Sequence, residues 1–392
     1  MAEEVFITAA RRTPIGGFLG VLSAVPATQL GAAAVRAVLA DSKLPADRVS
    51  EVILGCVLQA GVGQGPARQA ALGGGIPASV PTATINKLCG SGMKAIMLGF
   101  DQIRAESAAV VLAGGLESMS NAPYLLLKAR QGYRMGHHKV YDHMVYDALL
   151  SPYDDQLMGC FADATAAKYS FTRERQDAFA TESVKRALSA SDGGAFAKEI
   201  IAVTVQDRTA TRTVERDETP YSCDIAKIPT LRAAFSKAGT VTAASSSSVS
   251  DGAAAVMMMS GSALREHASS PLARVVAHAS HAHAPEWFTT APVTAIKSVL
   301  DKTGWRADDV DLFEINEAFA CVTMAAMHDL GLDHAKVNVN GGACALGHPV
   351  GATGARLVTT LIHALAARGL KRGVAALCIG GGEATAVALE CV

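Results

Sequence analysis

The chain repeats one pattern of hydrophobic and polar positions in two places. Residues 34–49 align without a gap to residues 295–310, and each copy has apolar residues at helical spacing, then a turn, then a short apolar run. The shared positions are Ala34, Val38, Leu39, Ala46, Asp47 and Val49, which recur as Ala295, Val299, Leu300, Ala307, Asp308 and Val310. Each copy therefore predicts an amphipathic helix followed by a strand, at residues 52–54 and 312–315.

Two further similarities follow in the same order in both halves of the chain. Residues 91–94 resemble residues 353–356, and residues 111–115 resemble residues 377–381. A repeat of this length indicates paired domains rather than a solenoid. Because apolar strands alternate with amphipathic helices, we expect mostly parallel or mixed sheets covered on both faces, in a layered α/β/α/β/α body.

A long segment, residues 121–248, matches neither copy and contains most of the aromatic residues. We therefore predict an N-terminal α/β half at residues 1–120, completed by residues 249–271, and a C-terminal α/β half at residues 272–392. Residues 121–248 are predicted to be an inserted loop domain. Long insertions are usually lids or ligand-binding loops, and a decorated surface or an oligomer contact is the other interpretation.

Composition excludes several classes of protein. The chain has 392 residues, of which 18% are charged and 5% aromatic, with a net charge of −1, so neither nucleic acid nor an anionic membrane surface is an expected partner. We find no apolar run expected to span a bilayer and no targeting signal, which predicts a cytoplasmic enzyme. The eight cysteines are scattered without a CxxC pair, which predicts reduced thiols rather than a disulfide framework or a zinc site.

Cys89 is the first candidate for chemistry. It lies in the sequence NKLCGSGMK, where an extended piece and a tight turn precede a predicted helix. A cysteine at a helix N-terminus gains thiolate character from the helix dipole and the free N–H groups, and adjacent glycines let a substrate carbonyl approach the backbone. A buried structural cysteine is the alternative interpretation of this position.

Three more candidates lie beside glycines or at strand ends in the C-terminal half. His348 lies in the glycine-rich sequence GGACALGHPVGATGAR, which is typical of an imidazole presented on a shaped loop, although a lone histidine is more often structural. Cys378 ends a predicted strand and runs into a triple glycine, and Asn316 follows another strand. Strand ends are where α/β sheets place their ligands. Two cysteines and a histidine in these settings suggest acyl transfer through a thiolate.

A histidine-rich segment is the one candidate for a metal site. His281 and His283 would share one face of a strand, near His278, but no carboxylate or cysteine lies within the segment. We therefore predict that the protein binds no metal.

Taken together, these motifs resemble the thiolase family, in the branch of acetyl-CoA acetyltransferases and 3-ketoacyl-CoA thiolases. The similarity covers essentially the whole chain, from residues 9–16 through the segments around Cys89, Asn316 and His348 to the glycines after Cys378. It implies a duplicated α/β/α/β/α five-layered fold with an inserted loop domain that holds coenzyme A. Coenzyme A is then a substrate or product, and no cofactor is expected.

The resemblance implies a role for each matching residue. Cys89 would be the nucleophile that is acylated, and His348 would take its proton and help bind the thioester oxygen. Cys378 would remove or return the α-proton of the second acyl-CoA, in a ping-pong cycle. Asn316 would hold a water that stabilises the enolate with His348, and the backbone N–H groups of Cys89 and Gly380 would form a second oxyanion hole.

Coenzyme A contacts are carried over in the same way. The residues implied for coenzyme A and the acyl group are Ser247, Ala243, Ala318, Phe319, Met158 and Phe288, with Lys227 or a neighbouring cation near the nucleotide. The chain departs from the family pattern at Pro220, Leu157, Phe288 and Glu383, and in the serine loop at residues 243–248. These departures bear on acyl preference and nucleotide affinity rather than on the reaction.

The expected activity is the formation or cleavage of short-chain 3-ketoacyl-CoA, with a broader-chain thiolase of fatty-acid β-oxidation as the alternative. A decarboxylating ketosynthase is less favoured, because such enzymes generally pair their cysteine with two histidines or with a histidine and an asparagine. A non-catalytic acyl-CoA-binding protein is disfavoured because the four candidate catalytic side chains are retained. Residues 122–144 match the family region that joins two dimers, which predicts a homotetramer.

Overall fold

The computed structural model of the chain describes residues 3–206 and 210–392. In these residues the strands are β1 (Val5–Arg12), β2 (Gly16–Gly17), β3 (Glu51–Gly55), β4 (Thr82–Ile85), β5 (Val110–Ser118), β6 (Tyr124–Leu125), β7 (Tyr141–Asp142), β8 (Val203–Gln206), β9 (Thr211–Val214), β10 (Ser250–Ser260), β11 (Ala273–Ala282), β12 (Leu312–Ile315), β13 (Arg372–Ile379) and β14 (Glu383–Cys391). The α-helices are α1 (Ala27–Ser42), α2 (Pro66–Gly73), α3 (Ser91–Arg104), α4 (Met158–Lys168), α5 (Arg173–Asp192), α6 (Thr219–Ser222), α7 (Gly261–Glu266), α8 (Ala291–Thr303), α9 (Ala320–Leu330), α10 (Ala343–Leu346) and α11 (Val350–Arg368).

The two copies of the repeat fold alike, as the sequence predicts. Helix α1 leads through a 3₁₀ turn at Ala46–Arg48 into strand β3, and helix α8 leads through a 3₁₀ turn at Ala307–Asp309 into strand β12. Both helices end in a left-handed residue, Lys43 in one copy and Gly304 in the other. The recurring apolar positions of α1 and α8 are buried against the sheet, apart from the half-buried Leu39 at the edge of the core, which is the physical reason that the pattern repeats.

The sheet carries the same symmetry. Its strand order is β12-β13-β14-β11-β1-β10-β5-β3-β4, with β2 paired to β10 at one side. Strands β3 and β5 are parallel, as are β12 and β13, and β10 and β14 run antiparallel to their neighbours in each half. The halves are joined by hydrogen bonding between Val5–Ile7 of β1 and residues 273–275 of β11. One continuous sheet therefore runs through both halves.

Five layers follow from how the helices cover this sheet. Helices α1 and α2 pack outside the N-terminal strands, and α8 packs outside the C-terminal strands, where α9 lies against it. Helices α3 and α11 contact each other and strands of both halves, so they form the central layer. The apolar residues group accordingly into two outer cores and one central core. This arrangement is the predicted α/β/α/β/α body.

Helix α11 differs from what the sequence analysis expected of apolar segments. By length and composition it could cross a membrane, although the sequence analysis predicts no such run. In the structure 83% of the residues in its most apolar 18-residue stretch are buried inside the protein. The helix is apolar on all sides because it lies between two layers of strands, and such a helix has the composition of a membrane span.

The inserted segment is fixed to the body through a buried ion cluster. Arg12, at the end of β1, binds Glu199 at 2.6 Å and both carboxylate oxygens of Asp217 at 2.7 and 2.9 Å. All three side chains are almost fully buried. Burial opposes the charge of Arg12, but the two carboxylates outweigh it and raise the pKa of the guanidinium. Both acidic residues belong to the insertion, so Arg12 fixes its position on the sheet.

Replacing Arg12 by alanine is expected to destabilise the protein strongly, because two buried carboxylates lose their partner. Removing one member of a buried pair costs about 3–5 kcal/mol. The neighbouring Arg11 is a matched control, since it binds Asp41 in a partly exposed pair worth about 0–1 kcal/mol. Denaturant unfolding of Arg12→Ala and Arg11→Ala measures the difference, and equal midpoints would contradict the proposed anchor.

Candidate active site

The loop before α3 presents Cys89 on a backbone that its neighbours hold in place. The side chain of Asn86 accepts a hydrogen bond from the N–H of Leu88 at 2.9 Å. The hydroxyl of Ser91 accepts from the N–H of Lys87 at 2.8 Å and donates to the carbonyl of Leu88 at 2.7 Å. Leu88 has a φ of 46°, a left-handed conformation that a leucine adopts only when its surroundings impose it. Cys89 is therefore held at the start of α3.

The two candidate cysteines lie on segments that touch. A side chain at Gly90 would meet the Ile379 side chain, since a Cβ there would lie 2.3 Å from its Cδ1 atom. Ile379 ends strand β13 and directly follows Cys378. The Cys89 loop thus packs on the end of the strand that carries Cys378.

His348 lies between α10 and α11 and has a defined tautomer. Its Nδ1 atom is 2.6 Å from the hydroxyl of Thr353, and that hydroxyl donates its own hydrogen to the carbonyl of Pro349 at 2.9 Å. The hydroxyl must therefore accept from His348, so Nδ1 carries the proton. Within the described part of the chain, Nε2 is buried and has no hydrogen-bond partner. Its lone pair is free to accept a proton.

Burial shifts all three candidate acid–base groups toward their neutral forms. Burial, together with a smaller effect of the nearby Arg356, lowers the pKa of His348 to about 3. Burial raises the pKa of Cys89 to about 11, against an opposing effect of the backbone N–H groups of Gly380 and Cys89. Burial also raises the pKa of Cys378 well above its ordinary value, and Cys89 adds to this.

One cavity of about 300 Å³ collects most of the predicted site residues. The predicted residues that line it are Cys89, His348, Cys378, Gly380, Ser247, Ala318, Phe319, Met158 and Phe288. They come from the N-terminal half, the insertion and the C-terminal half of the chain. Only the folded structure brings these distant segments to one place.

Three predicted residues do not line this cavity. Asn316 is fully buried after β12, and within the described residues neither its amide nitrogen nor its amide oxygen has a partner. An unpaired buried amide costs free energy, so a water or substrate partner at Asn316 is favoured. Ala243 is exposed, and Lys227 is exposed and pairs with Asp224 at 3.2 Å.

Several residues that shape the cavity were not predicted from the sequence. Its apolar walls include Leu149, Phe235 and Val350, and also Leu157, which the sequence marks as a departure from the family pattern. Leu149 lies in a π-helical turn, Val145–Leu149, which has no clear sequence signal. Thr353 was also missed, although its place in the first turn after the histidine loop is one signal that could have found it.

Glu117 is a further buried group that the sequence analysis missed. Its carboxylate accepts hydrogen bonds from the N–H groups of Val57 at 3.0 Å, Leu58 at 3.1 Å and Gly351 at 2.9 Å. Burial raises the pKa of Glu117 to about 7, and these three N–H groups oppose the rise. Because Gly351 lies in the first turn of α11, Glu117 fixes the helix start beside His348.

Across residues 3–206 and 210–392, no group of three or more histidine, cysteine, aspartate or glutamate side chains is placed to hold a metal ion. All eight cysteines lie in these ranges and are free thiols.

Known proteins identify the family. Residues 5–262 match the family model described as thiolase, N-terminal domain, and residues 269–391 match the thiolase C-terminal domain. The chain belongs to the thiolase family. The acetyl-CoA acetyltransferase of Pseudomonas aeruginosa is 47% identical over 389 residues, and that of Escherichia coli 46% over 390, each covering 99% of both chains. The crystal structure of the Bacillus anthracis acetyl-CoA acetyltransferase superposes with a TM-score of 0.97 at 39% identity, covering 100% of this chain and 99% of that one.

The geometry of this thiolase corrects one expectation from the sequence. Cys89 was expected to have thiolate character because it precedes a helix. In the structure the cost of burying a charge exceeds the stabilisation from the backbone N–H groups, so the resting thiol is neutral. A neutral thiol beside a neutral imidazole can ionise when a substrate oxygen develops charge in the same cavity.

Alkylation of Cys89 by iodoacetamide is therefore expected to accelerate throughout the range from pH 7 to 10. The thiolate is the reactive form, and a pKa of about 11 lies above this range, so the rate should rise about tenfold per pH unit. Mass spectrometry of the Cys89 peptide measures the rate, with Cys89→Ser as the control. A plateau below pH 8 would mean that the resting enzyme already holds a thiolate.

Proposed function

We propose that this thiolase joins two acetyl-CoA molecules into acetoacetyl-CoA and coenzyme A, and cleaves short-chain 3-ketoacyl-CoA in reverse. The observation that supports this most is the single cavity lined by Cys89, His348, Cys378 and Gly380. Relatives named acetyl-CoA acetyltransferase, about 45% identical over the full chain, favour the same reaction. Fatty-acid metabolism is the corresponding metabolic context.

The first half-reaction transfers an acetyl group to Cys89. The thiol of Cys89 gives its proton to Nε2 of His348 as the sulfur attacks the thioester carbonyl. The backbone N–H groups of Cys89 and Gly380 donate to the oxyanion that forms, since both already act on the Cys89 sulfur. Cys378 gives its proton to the departing coenzyme A sulfur. An acetyl-Cys89, a Cys378 thiolate and a protonated His348 remain.

The second half-reaction forms the carbon–carbon bond. The Cys378 thiolate removes the α-proton of a second acetyl-CoA, and the enolate oxygen is stabilised by protonated His348 and by a water on Asn316. The enolate carbon attacks acetyl-Cys89, and the tetrahedral intermediate releases the Cys89 sulfur. That sulfur takes the proton from His348, so all three groups return to their neutral resting forms.

The neutral resting state fits this cycle. Burial disfavours the charged form of each group, as the pKa directions of Cys89, Cys378 and His348 indicate. Charges arise only in pairs of opposite sign, one on a sulfur or oxygen and one on the imidazole. A low local dielectric strengthens such pairs, so the same burial that disfavours isolated ions stabilises the intermediates.

Coenzyme A is proposed to enter along the serine loop. The backbone N–H and the hydroxyl of Ser247 both donate to the carbonyl of Ala318, at 3.0 and 3.1 Å, and this pair forms one wall of the cavity. Phe235 and Phe319 pack edge to face with their centroids 5.8 Å apart, which gives an apolar passage for pantetheine. Exposed Ala243 and Lys227 lie in segments free to contact the outer part of coenzyme A. Coenzyme A acts here as a substrate, with no separate cofactor.

The wild-type enzyme is expected to catalyse coenzyme A-dependent thiolysis of acetoacetyl-CoA. Cys89→Ser should lower kcat by about 10³-fold or more, because the acyl carrier is lost. Cys378→Ala should abolish condensation yet leave Cys89 open to alkylation by iodoacetamide. Loss of the acetoacetyl-CoA absorbance measures thiolysis. An inactive wild type, or condensation that survives in Cys378→Ala, would contradict the proposed roles.

We further propose a homotetramer that assembles through residues 122–144. This segment exposes large apolar side chains, with Tyr124 at 69%, Leu126 at 53%, Met135 at 103% and Val140 at 57% exposure. Apolar groups concentrated in one protruding hairpin region are typical of an interface between subunits. A cytoplasmic location stays a prediction from the sequence.

Light scattering of the wild type is expected to give a four-chain particle. Leu126→Asp combined with Val140→Asp should reduce it to dimers, since a charge at each contact opposes burial. Val392→Asp, at an exposed site outside the segment, is the control. A monomeric wild type, or a double variant that remains tetrameric, would contradict this assembly.

A further inference from the structure

One buried carboxylate close to the catalytic cavity has no part in the reaction described above. Glu117 is the second-to-last residue of β5, is fully buried, and does not line the cavity. Val111 and Ala113 of the same strand face the central core. Because side chains alternate along a strand, Glu117 faces the same layer, which is formed by α3 and α11.

The two oxygens of Glu117 bind two different segments of the chain. Strand β3 runs parallel beside β5, so the chain that follows β3 passes next to Glu117. There Oε2 accepts a hydrogen bond from the N–H of Val57 at 3.0 Å, and Oε1 accepts from that of Leu58 at 3.1 Å. Oε2 also accepts from the N–H of Gly351, in the first turn of α11, at 2.9 Å. One carboxylate therefore joins the segment after β3 to the start of α11.

The segment after β3 supports the loop of the candidate nucleophile. Val57 and Leu58 belong to an apolar cluster against which Leu88 and Cys89 pack. The side-chain amide of Asn86 donates a long hydrogen bond to the carbonyl of Val57, at 3.5 Å, and its oxygen accepts from the N–H of Leu88. A displacement of Val57 therefore reaches the residue before Cys89 through a single side chain.

The start of α11 supports the candidate base. Pro349 occupies the N-cap and offers no side-chain hydrogen bond to the helix. Glu117 supplies that hydrogen bond from β5, at a helix end where negative charge is favoured. A Cβ on Gly351 would lie 2.6 Å from Oε2 of Glu117, so only a glycine lets the helix approach this closely. His348 lies two residues before α11, so its position depends on this contact.

We propose that Glu117 is a positioning residue for the thiolase reaction, and that it sets the distance between the Cys89 sulfur and Nε2 of His348 by binding both supporting segments. It acts through the backbone alone, because it does not line the cavity. A carboxylate suits this role because both of its oxygens accept hydrogen bonds, whereas a glutamine has one acceptor oxygen. In Glu117→Gln the amide nitrogen would face at least one of the three N–H groups, donor against donor.

This inference rests on the proposed thiolase function, since the distance matters only if Cys89 gives its proton to His348. Both groups act in both half-reactions, so a change in their separation should slow both and lower kcat. Glu117 makes no printed contact with Ser247 or Ala318 on the proposed path of coenzyme A, so KM should change little.

The first experiment compares Glu117→Gln with wild type in coenzyme A-dependent thiolysis of acetoacetyl-CoA. The variant should lower kcat by about 10- to 100-fold and change KM by less than about threefold, since a misplacement of about 1 Å can cost about 10²-fold in rate. The value of kcat is referred to the protein that elutes at the wild-type position in gel filtration. An unchanged kcat, or a loss confined to KM, overturns the proposal.

Asp311→Asn is the matched control. The Asp311 carboxylate accepts hydrogen bonds from the backbone N–H groups of Lys371 and Arg372, at 2.9 and 2.8 Å. These groups lie at the start of β13, about 20 Å along the strand from Cys378. The same change from carboxylate to amide should leave kcat unaltered there. A loss equal to that of Glu117→Gln would show a general effect on the fold and would contradict a positioning role.

Gly351→Ala tests the same contact from the other side. Its added methyl group would lie 2.6 Å from Oε2 and should displace the carboxylate from α11, with a similar loss of kcat. The double variant with Glu117→Gln should lose no more than the more affected single variant, because one interaction is removed only once. Losses that multiply would indicate two independent defects and count against the proposal.

The outcomes separate this inference from the proposed function. A wild type active on acetoacetyl-CoA beside an unimpaired Glu117→Gln overturns the role of Glu117 and leaves the thiolase function standing. If neither single variant yields folded enzyme, Glu117 is a folding anchor and the positioning role is overturned as well. A wild type inactive on acetoacetyl-CoA overturns the proposed function itself.

Discussion

The close contact between helices α3 and α11 determines the active site. A Cβ on Gly354 would lie 2.3 Å from the backbone nitrogen of Met93, and one on Gly92 would lie 2.9 Å from the backbone nitrogen of Ala355. The two helices therefore touch backbone to backbone near their N-terminal ends. The candidate nucleophile Cys89 lies two residues before the start of α3, and the candidate base His348 lies two residues before the start of α11. Their separation is set by this backbone contact, which is more rigid than any side-chain packing.

The central position of these helices has an electrostatic consequence. Both begin between two layers of strands. Although Cys89 is only half-buried, the desolvation of its thiol outweighs the helix dipole and raises its pKa to about 11. Burial also lowers the pKa of His348 to about 3. A site that rests without charge and forms ion pairs only around a bound thioester is suited to a reaction through oxyanion and enolate intermediates.

The insertion supplies the walls that the duplicated body lacks. Arg12 anchors the insertion through two buried carboxylates. Met158 and Leu149, which also belong to the insertion, line the catalytic cavity. A second cavity of about 400 Å³, which shares Ala148, Met158 and Gly380 with the catalytic cavity, lies where the insertion meets the loop after β13. Acyl specificity is therefore proposed to depend on the insertion, while the chemistry depends on the body.

The sequence by itself determined the duplication, the layer order and the candidate residues Cys89, His348 and Cys378, because helical periodicity and glycine-flanked motifs are local properties of the chain. It did not determine the protonation of Cys89, the pairing of His348 with Thr353, the pairing of β1 with β11, or the second cavity. Those features depend on burial and on contacts between segments hundreds of residues apart, as Arg12 with Asp217 illustrates. Only the tertiary structure determines these contacts, because a local sequence pattern does not specify which distant segments of the chain pack together.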